Sequence, residues 1–185
     1  AGWIDFTDEI RPEAVTVIAQ LKQSGINPIL LSGDTTRKCR ELAAKLGITD
    51  VYAEQSPGQK LQKIDAFLQL APTAMVGDGI NDAPALAKAT IGISLSDATQ
   101  VAMQSANVVL LNNNLGSLPL ALGLGKHTYL TIKQNLFWAF IYNVVAIPVA
   151  ALGFLNPIVG AGIMGLSDVV LAINSIRLRY KRVTA

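Results

Sequence analysis

The 185-residue sequence has few charged residues, one histidine and one cysteine. Charged residues make up only 15% of the chain, and the net charge of +2 is too small to indicate a nucleic-acid partner. The single cysteine, Cys39, excludes an internal disulfide framework and fits a reducing compartment. Hydrophobic residues, in contrast, make up 51% of the chain, which indicates that part of it lies in lipid.

The first two thirds of the chain alternate short apolar runs with amphipathic stretches. The pattern predicts strands at 3–6, 27–32, 51–53, 74–76, 91–94 and 108–111, and helices at 11–24, up to 46, at 57–70 and at 98–104. Strands and helices that alternate with short connections predict a parallel sheet covered on both faces. Ligands of such α/β sheets bind at the carboxyl ends of the strands.

Residues 134–176 contain a single charged side chain, Asp168. Because a membrane-spanning helix needs about 20 apolar residues, we expect two spans, at 134–154 and 158–176. Basic residues flank both outer ends and none lies in the connecting loop, so the positive-inside rule places both ends in the cytoplasm. A buried helical hairpin in a soluble protein is the alternative. We therefore predict an α/β domain over residues 1–125 and an integral membrane hairpin over 126–185.

Three polar segments lie beside predicted strands, where a parallel sheet would gather them at one edge. Their candidate catalytic residues are Ser32, Gly33, Asp34, Lys60, Asp78, Asn81 and Asp82. The carboxylates of Asp78 and Asp82 are oxygen ligands of the kind that Mg²⁺ prefers. Lys60 offers a point charge, and Ser32 a hydroxyl donor, to a phosphoryl group. Taken singly, the Ser-Gly-Asp and Pro-Gly-Gln-Lys segments are also explained as ordinary turn formers.

The ten-residue run GDGINDAPAL at 77–86 resembles the hinge motif of P-type ATPases, members of the haloacid dehalogenase superfamily. The Ser-Gly-Asp segment is similar to their Thr-Gly-Asp motif, and IRPEA at 10–14 also fits. The resemblance implies a haloacid dehalogenase-like Rossmannoid sheet in which Asp78 holds Mg²⁺, supported by Asn81 and Asp82. It further implies that Ser32 and Lys60 contact the transferred phosphoryl group of ATP, with Asp34 on the nucleotide side.

The runs Asn135–Phe140 with Tyr142-Asn143, and Asn174–Leu178, are similar to the last two helices of the copper-transporting P-type ATPases. The resemblance assigns Tyr142, Asn143 and Met164 to a Cu⁺ site, and a methionine thioether suits a soft monovalent ion. Asp168 stands where those pumps carry a second serine. A carboxylate within a membrane span is a functional candidate, and its hard oxygen leaves transport of another metal ion open.

The DKTGT segment that such pumps phosphorylate does not occur in the sequence. The resemblance therefore implies the carboxyl-terminal part of a cation-translocating ATPase that is inactive alone. Its partners would be the lipid membrane and the amino-terminal portion of the pump, or a second chain that carries it. We also expect the helix around 115–133 to continue into the first span. A soluble phosphatase of the same superfamily and an inactive membrane adaptor are the alternatives.

Overall fold

The computed structural model describes residues 10–153 and 156–180, so the strand predicted at 3–6 lies outside the described residues. The chain divides into two compact units, up to Pro119 and from Leu120 onward. The predicted boundary was residue 125.

The first unit alternates helices and strands as the sequence predicts. Its helices are α1 (Ala14–Gln23), α2 (Thr36–Leu46), α3 (Pro57–Leu68), α4 (Ala83–Lys88) and α5 (Gln100–Ser105). Its strands are β1 (Ile29–Leu31), β2 (Asp50–Tyr52), β3 (Ala74–Val76), β4 (Ile91–Leu95) and β5 (Val108–Leu110). Single 3-10 turns follow β3 at Ile80–Asp82 and β5 at Leu111–Asn113.

Within residues 10–153 and 156–180, the strands form two parallel sheets where the sequence predicts one. β1 pairs with β2, and β3, β4 and β5 form a separate sheet in that order. Strands β1 and β3 are not hydrogen-bonded to each other, but side chains from both sheets pack on one apolar cluster. Leu31 of β1 packs against that cluster, whose buried members are Ile64, Met75, Ala85, Leu86, Ala89, Ala98 and Ala102.

Local sequence explains where α3 begins. The Ser56 hydroxyl accepts the backbone N–H of Gln59, and the Gln59 side chain accepts the backbone N–H of Ser56, which is a capping box. Pro57 occupies the first helical position, where its missing N–H costs little. The start of α3 at residue 57 is therefore as predicted.

Helix α4 was not predicted, because Pro84 and the preceding turn residues indicate irregular structure. Pro84 lies in the first turn of α4, where proline is tolerated. Behind it, Ala83, Ala85 and Leu86 are buried. Helix α4 thus packs the segment that follows residue 82 firmly into the core.

The second unit contains most of the long helix α6 (Ser117–Ala151), which begins just before the unit boundary, and the helix α7 (Pro157–Tyr180). Gly153, with a φ of 77°, and Asn156, whose side chain accepts the N–H of Ile158, lie in the turn between them. Helix α6 is continuous from Ser117, so the predicted lead-in at 115–133 and the first span form one helix. Ser117–Ala151 and Gly160–Leu178 are long and apolar enough to cross a membrane, with mean hydropathies of 1.3 and 1.4.

Candidate functional site

A nearly buried ion pair joins two of the predicted site residues. Lys60 Nζ lies 2.7 Å from Asp82 Oδ1, and the two side chains are only 11% and 14% exposed. Lys60 extends from the first turns of α3, and Asp82 ends the 3-10 turn after β3. Removing a charge from water costs free energy unless an opposite charge pairs with it. Each of the two side chains therefore depends on the other to remain charged at this nearly buried position.

Gly77 is required by the close approach of Asp82. A Cβ added at position 77 would lie 2.8 Å from Asp82 Cβ and 3.1 Å from Asp82 Oδ2. The backbone N–H of Asp82 also donates to the carbonyl of Gly79 at 3.1 Å. The backbone can therefore come this close to Asp82 because residue 77 has no Cβ.

The Ser32-Gly33-Asp34 segment forms a compact hydrogen-bonded loop at the carboxyl end of β1. The Ser32 hydroxyl donates to Asp34 Oδ2 at 3.3 Å, and the Asp34 N–H donates to Ser32 Oγ at 3.1 Å. Ser32 N–H continues the β1–β2 pairing by donating to the Tyr52 carbonyl at 2.9 Å. Ser32 and Asp34 are therefore brought together, with Asp34 exposed to solvent.

Residues 54–56 connect this loop to the lysine. The N–H of Glu54 donates to the Asp34 carbonyl at 2.9 Å, and the N–H of Gln55 donates to the Ser32 carbonyl at 3.0 Å. The next residue, Ser56, caps α3, from which Lys60 extends. The sequence did not predict the hydrogen bonds between residues 54–55 and the Ser32–Asp34 loop. The Ser-x-x-Gln pattern at 56–59 does indicate the capping box that begins α3.

Glu54 itself caps the start of α2. Its Oε1 accepts the backbone N–H of Thr36 at 3.1 Å and the Thr36 hydroxyl at 3.0 Å. The backbone hydrogen bond, reinforced by the hydroxyl, holds the pKa of Glu54 below its ordinary value of 4.5. Glu54 adopts a left-handed φ of 56°, so this geometry is held by its surroundings.

Asp78 and Asn81 are exposed and lie in the same short segment of sequence as Asp82. The described residues contain no group of three or more His, Cys, Asp or Glu that could hold a metal. Mg²⁺, however, keeps several waters and needs only one or two carboxylates. With Asp82 Oδ1 engaged by Lys60, the exposed carboxylate of Asp78 and the second oxygen of Asp82 fit that requirement.

The predicted metal ligands of the hairpin are not gathered into one cluster among the described side chains. The Asn143 amide donates to the Ala139 carbonyl of its own helix at 2.8 Å. Met164 is 59% exposed, and Asp168 is also exposed. The side chain of Tyr142 lies outside the described part of the structure.

Comparison with known proteins covers both units. Residues 3–90 match the haloacid dehalogenase-like hydrolase family. The chain is 40% identical over 185 residues to the probable copper-importing P-type ATPase A of Enterococcus hirae, covering 98% of this chain and 25% of that protein. It is 42% identical over 181 residues to a copper-exporting P-type ATPase of Bacillus subtilis, covering 97% of this chain and 22% of that protein.

A solved structure extends the likeness to the fold. The crystal structure of a zinc-transporting PIB-type ATPase in the E2.Pi state matches 92% of this chain with a TM-score of 0.89 and 33% identity, and the match covers 28% of that chain. The chain is homologous to the heavy-metal P-type ATPases. The predicted haloacid dehalogenase-like fold, followed by two long apolar helices, is confirmed.

The chain spans about a quarter of the length of these curated heavy-metal P-type ATPases. Their names also differ in cargo and direction, since they include copper-importing, copper-exporting and zinc-transporting proteins. The homology therefore does not choose among these ions. The choice of ion depends on the side chains of this chain's own hairpin.

Two groups of contacts within the described residues were not predicted. Near the start of α6, Arg11 donates to the Asn113 carbonyl at 3.0 Å, and Glu13 accepts the N–H of Leu115 at 3.3 Å. In the hairpin, Asn135 donates to the Ser175 hydroxyl at 2.9 Å. Each contact joins residues at least 40 positions apart, so no local pattern identifies the partner.

Proposed function

We propose that the chain is part of an ATP-driven heavy-metal pump whose cargo is Cu⁺. The observation that carries the proposal is that one chain combines the nearly buried Lys60–Asp82 pair with two helices of membrane-spanning length. The first belongs to a phosphoryl-transfer site, and the second provides a path through lipid. The whole pump would be an integral membrane protein with residues 1–119 and the carboxyl end in the cytoplasm, as the basic flanking residues indicate.

At the phosphoryl site, the residues of this chain would position the transferring phosphoryl group and neutralise its negative charge. Lys60 balances the negative charge of the transferring group, and Ser32 donates a hydrogen bond to its oxygens. Asp34 would lie at the nucleotide side, and Asn81 would support the Mg²⁺ that Asp78 holds. Bound Mg²⁺, held by Asp78 and Asp82, would supply further charge neutralisation.

The nucleophile of the reaction would come from outside these residues. The family's phosphorylated aspartate lies in a DKTGT segment, which this sequence does not contain. The proposal therefore includes a further portion of the pump, or a second chain, that provides this segment. By itself the chain should bind Mg²⁺ weakly and hydrolyse no ATP.

In the membrane, Tyr142, Asn143, Met164 and Asp168 would contact the cargo. The Met164 thioether favours Cu⁺, because soft sulfur ligands select soft monovalent ions. Its 59% exposure leaves the thioether accessible to a metal or to a neighbouring helix. Asp168 adds a hard oxygen ligand or a counter-charge.

The second candidate cargo is a divalent ion such as Zn²⁺. The likeness to a zinc-transporting ATPase at a TM-score of 0.89 supports it, together with the carboxylate of Asp168. The two candidates differ in which side chain dominates binding. Met164 dominates for Cu⁺, and Asp168 dominates for Zn²⁺.

A competition experiment separates these cargoes. The purified chain in detergent would be titrated with Cu⁺ against a Cu⁺-specific chelator, and with Zn²⁺ against a zinc indicator. We expect Cu⁺ binding that is lost in Met164→Leu and retained in Asp168→Asn. Stronger Zn²⁺ binding that depends on Asp168 would transfer the proposal to the divalent cargo, and binding of neither ion would contradict a cargo site in this hairpin.

A phosphatase assay tests the phosphoryl site separately. The purified chain would be offered a small phosphomonoester with Mg²⁺. We expect no turnover, because the nucleophilic aspartate is lacking. Turnover that disappears in Asp78→Asn would instead identify a self-contained phosphatase.

Energy would pass from one unit to the other along α6. This helix runs from Ser117 to Ala151, with Pro148 inside its last turns. Within the first unit, Arg11 and Glu13 hold the segment that leads into it. Rapid amide exchange around Gly123–Gly125 would contradict coupling through a stiff helix.

A further inference from the structure

A polar network joins the two helices of the hairpin. Asn135 Nδ2 donates to Ser175 Oγ at 2.9 Å, and Asn174 Nδ2 donates to Asn135 Oδ1 at 2.8 Å and to Gln134 Oε1 at 3.4 Å. Ser175 in turn donates to the Leu171 carbonyl at 2.9 Å, so its hydroxyl both accepts and donates. Both functional groups of the Asn135 amide are therefore engaged across the helix pair.

The spacing along each helix relates this network to the proposed cargo residues. Position 142 lies seven residues after Asn135, and Asp168 lies seven residues before Ser175. Seven residues are about two helical turns, which returns to within about 20° of the same face after a rise of about 10.5 Å. Met164, one further turn along α7, lies about 40° around the helix from Asp168.

The two helices run in opposite directions, because Asn135 and Ser175 are in contact and lie at similar distances along their helices from the short connection. A step of two turns forward along α6 and a step of two turns back along α7 therefore reach the same level. Since Asn135 and Ser175 are in contact, position 142 on α6 lies level with Asp168 on α7. A slip of one helical turn would move this level by about 5.4 Å.

We infer that the amides of Asn135 and Asn174, with the Ser175 hydroxyl, form a register clamp that holds Asp168 level with position 142. The clamp residues act by positioning other residues and do not contact the cargo themselves. The function of the clamp rests on the proposed cargo site. Apolar side chains alone specify helix register weakly in lipid, because lipid tails are as apolar as the side chains. A paired amide specifies one register, since any other leaves polar groups without partners.

The register can be measured by cysteine cross-linking of the full chain in lipid vesicles. In a Cys39→Ser background, one variant carries Tyr142→Cys with Asp168→Cys, and a second carries Tyr142→Cys with Ala172→Cys, one turn away. We expect a short bifunctional thiol reagent to join the 142–168 pair about tenfold faster than the 142–172 pair. Asn135→Leu with Asn174→Leu should reduce this ratio to about one, because alternative registers then become populated.

The matched control is Thr131→Val. The Thr131 hydroxyl donates to the His127 carbonyl within α6 at 3.0 Å, so its loss removes a hydrogen bond that does not join the helices. This variant should preserve the cross-linking preference. A preference that survives the double asparagine variant, or that is missing from the parent, would overturn the clamp.

A second readout separates the clamp from the proposed cargo. Without cross-linking cysteines, Ser175→Ala should weaken Cu⁺ binding about tenfold, and Ser175→Thr should restore it because the hydroxyl returns. A chain that binds no Cu⁺ but loses its cross-linking preference in the double variant would retain the clamp and refute the cargo. Cu⁺ binding that is unchanged in Ser175→Ala would show that the network does not position the site.

Discussion

Breaking the Lys60–Asp82 pair should strongly destabilise the first unit. Lys60→Met leaves the Asp82 carboxylate, only 14% exposed, without its partner. Loss of one member of a buried pair typically costs about 3–5 kcal/mol. Because both side chains keep a little solvent contact, we expect the lower end of this range, about 3 kcal/mol.

Cys39 supplies the assay. It is the single cysteine of the chain, it lies on α2 in the same unit, and it is 2% exposed. A thiol reagent therefore reacts only after the unit opens, and the labelling rate follows the population of open molecules. A loss of 3 kcal/mol should raise that rate on the order of 100-fold, since each 1.4 kcal/mol is a factor of ten. Pulsed labelling across a urea series keeps the measurement in the range where global unfolding dominates.

The chain offers a matched control in the Lys88–Asp65 pair. Its N–O distance is 3.0 Å, but its side chains are 51% and 50% exposed. Exposed pairs contribute about 0–1 kcal/mol, so Lys88→Met should change the labelling rate less than about tenfold. Equal effects of Lys60→Met and Lys88→Met would refute the reasoning. Lys60→Met with Asp82→Leu should recover much of the loss, because no buried charge then remains unpaired.

Three further perturbations test the surroundings of the site, each by urea unfolding with Cys39 labelling. Gly92→Ala should prevent stable folding, because its Cβ would overlap the Leu86 carbonyl, and a wild-type midpoint would contradict this. Glu54 has a folded pKa below its ordinary value of 4.5, so its stabilisation is present above pH 4.5 and is lost as the pH falls through the lowered value. Glu54→Gln should therefore lower the midpoint at pH 7, with a difference that closes in acid; a constant difference would exclude the cap. Arg11→Ala should cost about 1–2 kcal/mol by releasing two hydrogen bonds, and an unchanged midpoint would show that they contribute nothing.

The elements that follow from local chemistry were predictable. The strand at 74–76 and the helix start at Pro57 agree with the structure, because a short apolar run before turn residues and an N-terminal proline act within a few positions. Gly47 ends α2 with a left-handed φ of 68°, as the sequence predicts. The Lys60 and Asp82 segments, which the sequence places at one edge of the sheet, meet in the nearly buried ion pair.

Features that depend on distant partners were not predictable. The division into two sheets depends on which strand edges meet, and three-residue strands carry little pairing information. The contact between Gln55 and Ser32, and the network between Asn135 and Ser175, join residues that no periodic pattern relates. Helix α4 was not predicted because proline breaks the interior of a helix but is tolerated in its first turn, and the sequence alone does not tell which position Pro84 occupies.

The most direct test of the central claim is a chimeric pump. This chain would replace the homologous quarter of the Bacillus subtilis copper-exporting ATPase, to which it is 42% identical over 181 residues. The account predicts Cu⁺-stimulated ATP hydrolysis that is abolished by Asp78→Asn and by Met164→Leu and is unaffected by Thr131→Val. A folded chimera that forms no phosphoenzyme with ATP, or whose hydrolysis ignores Cu⁺ and Zn²⁺ alike, would contradict it.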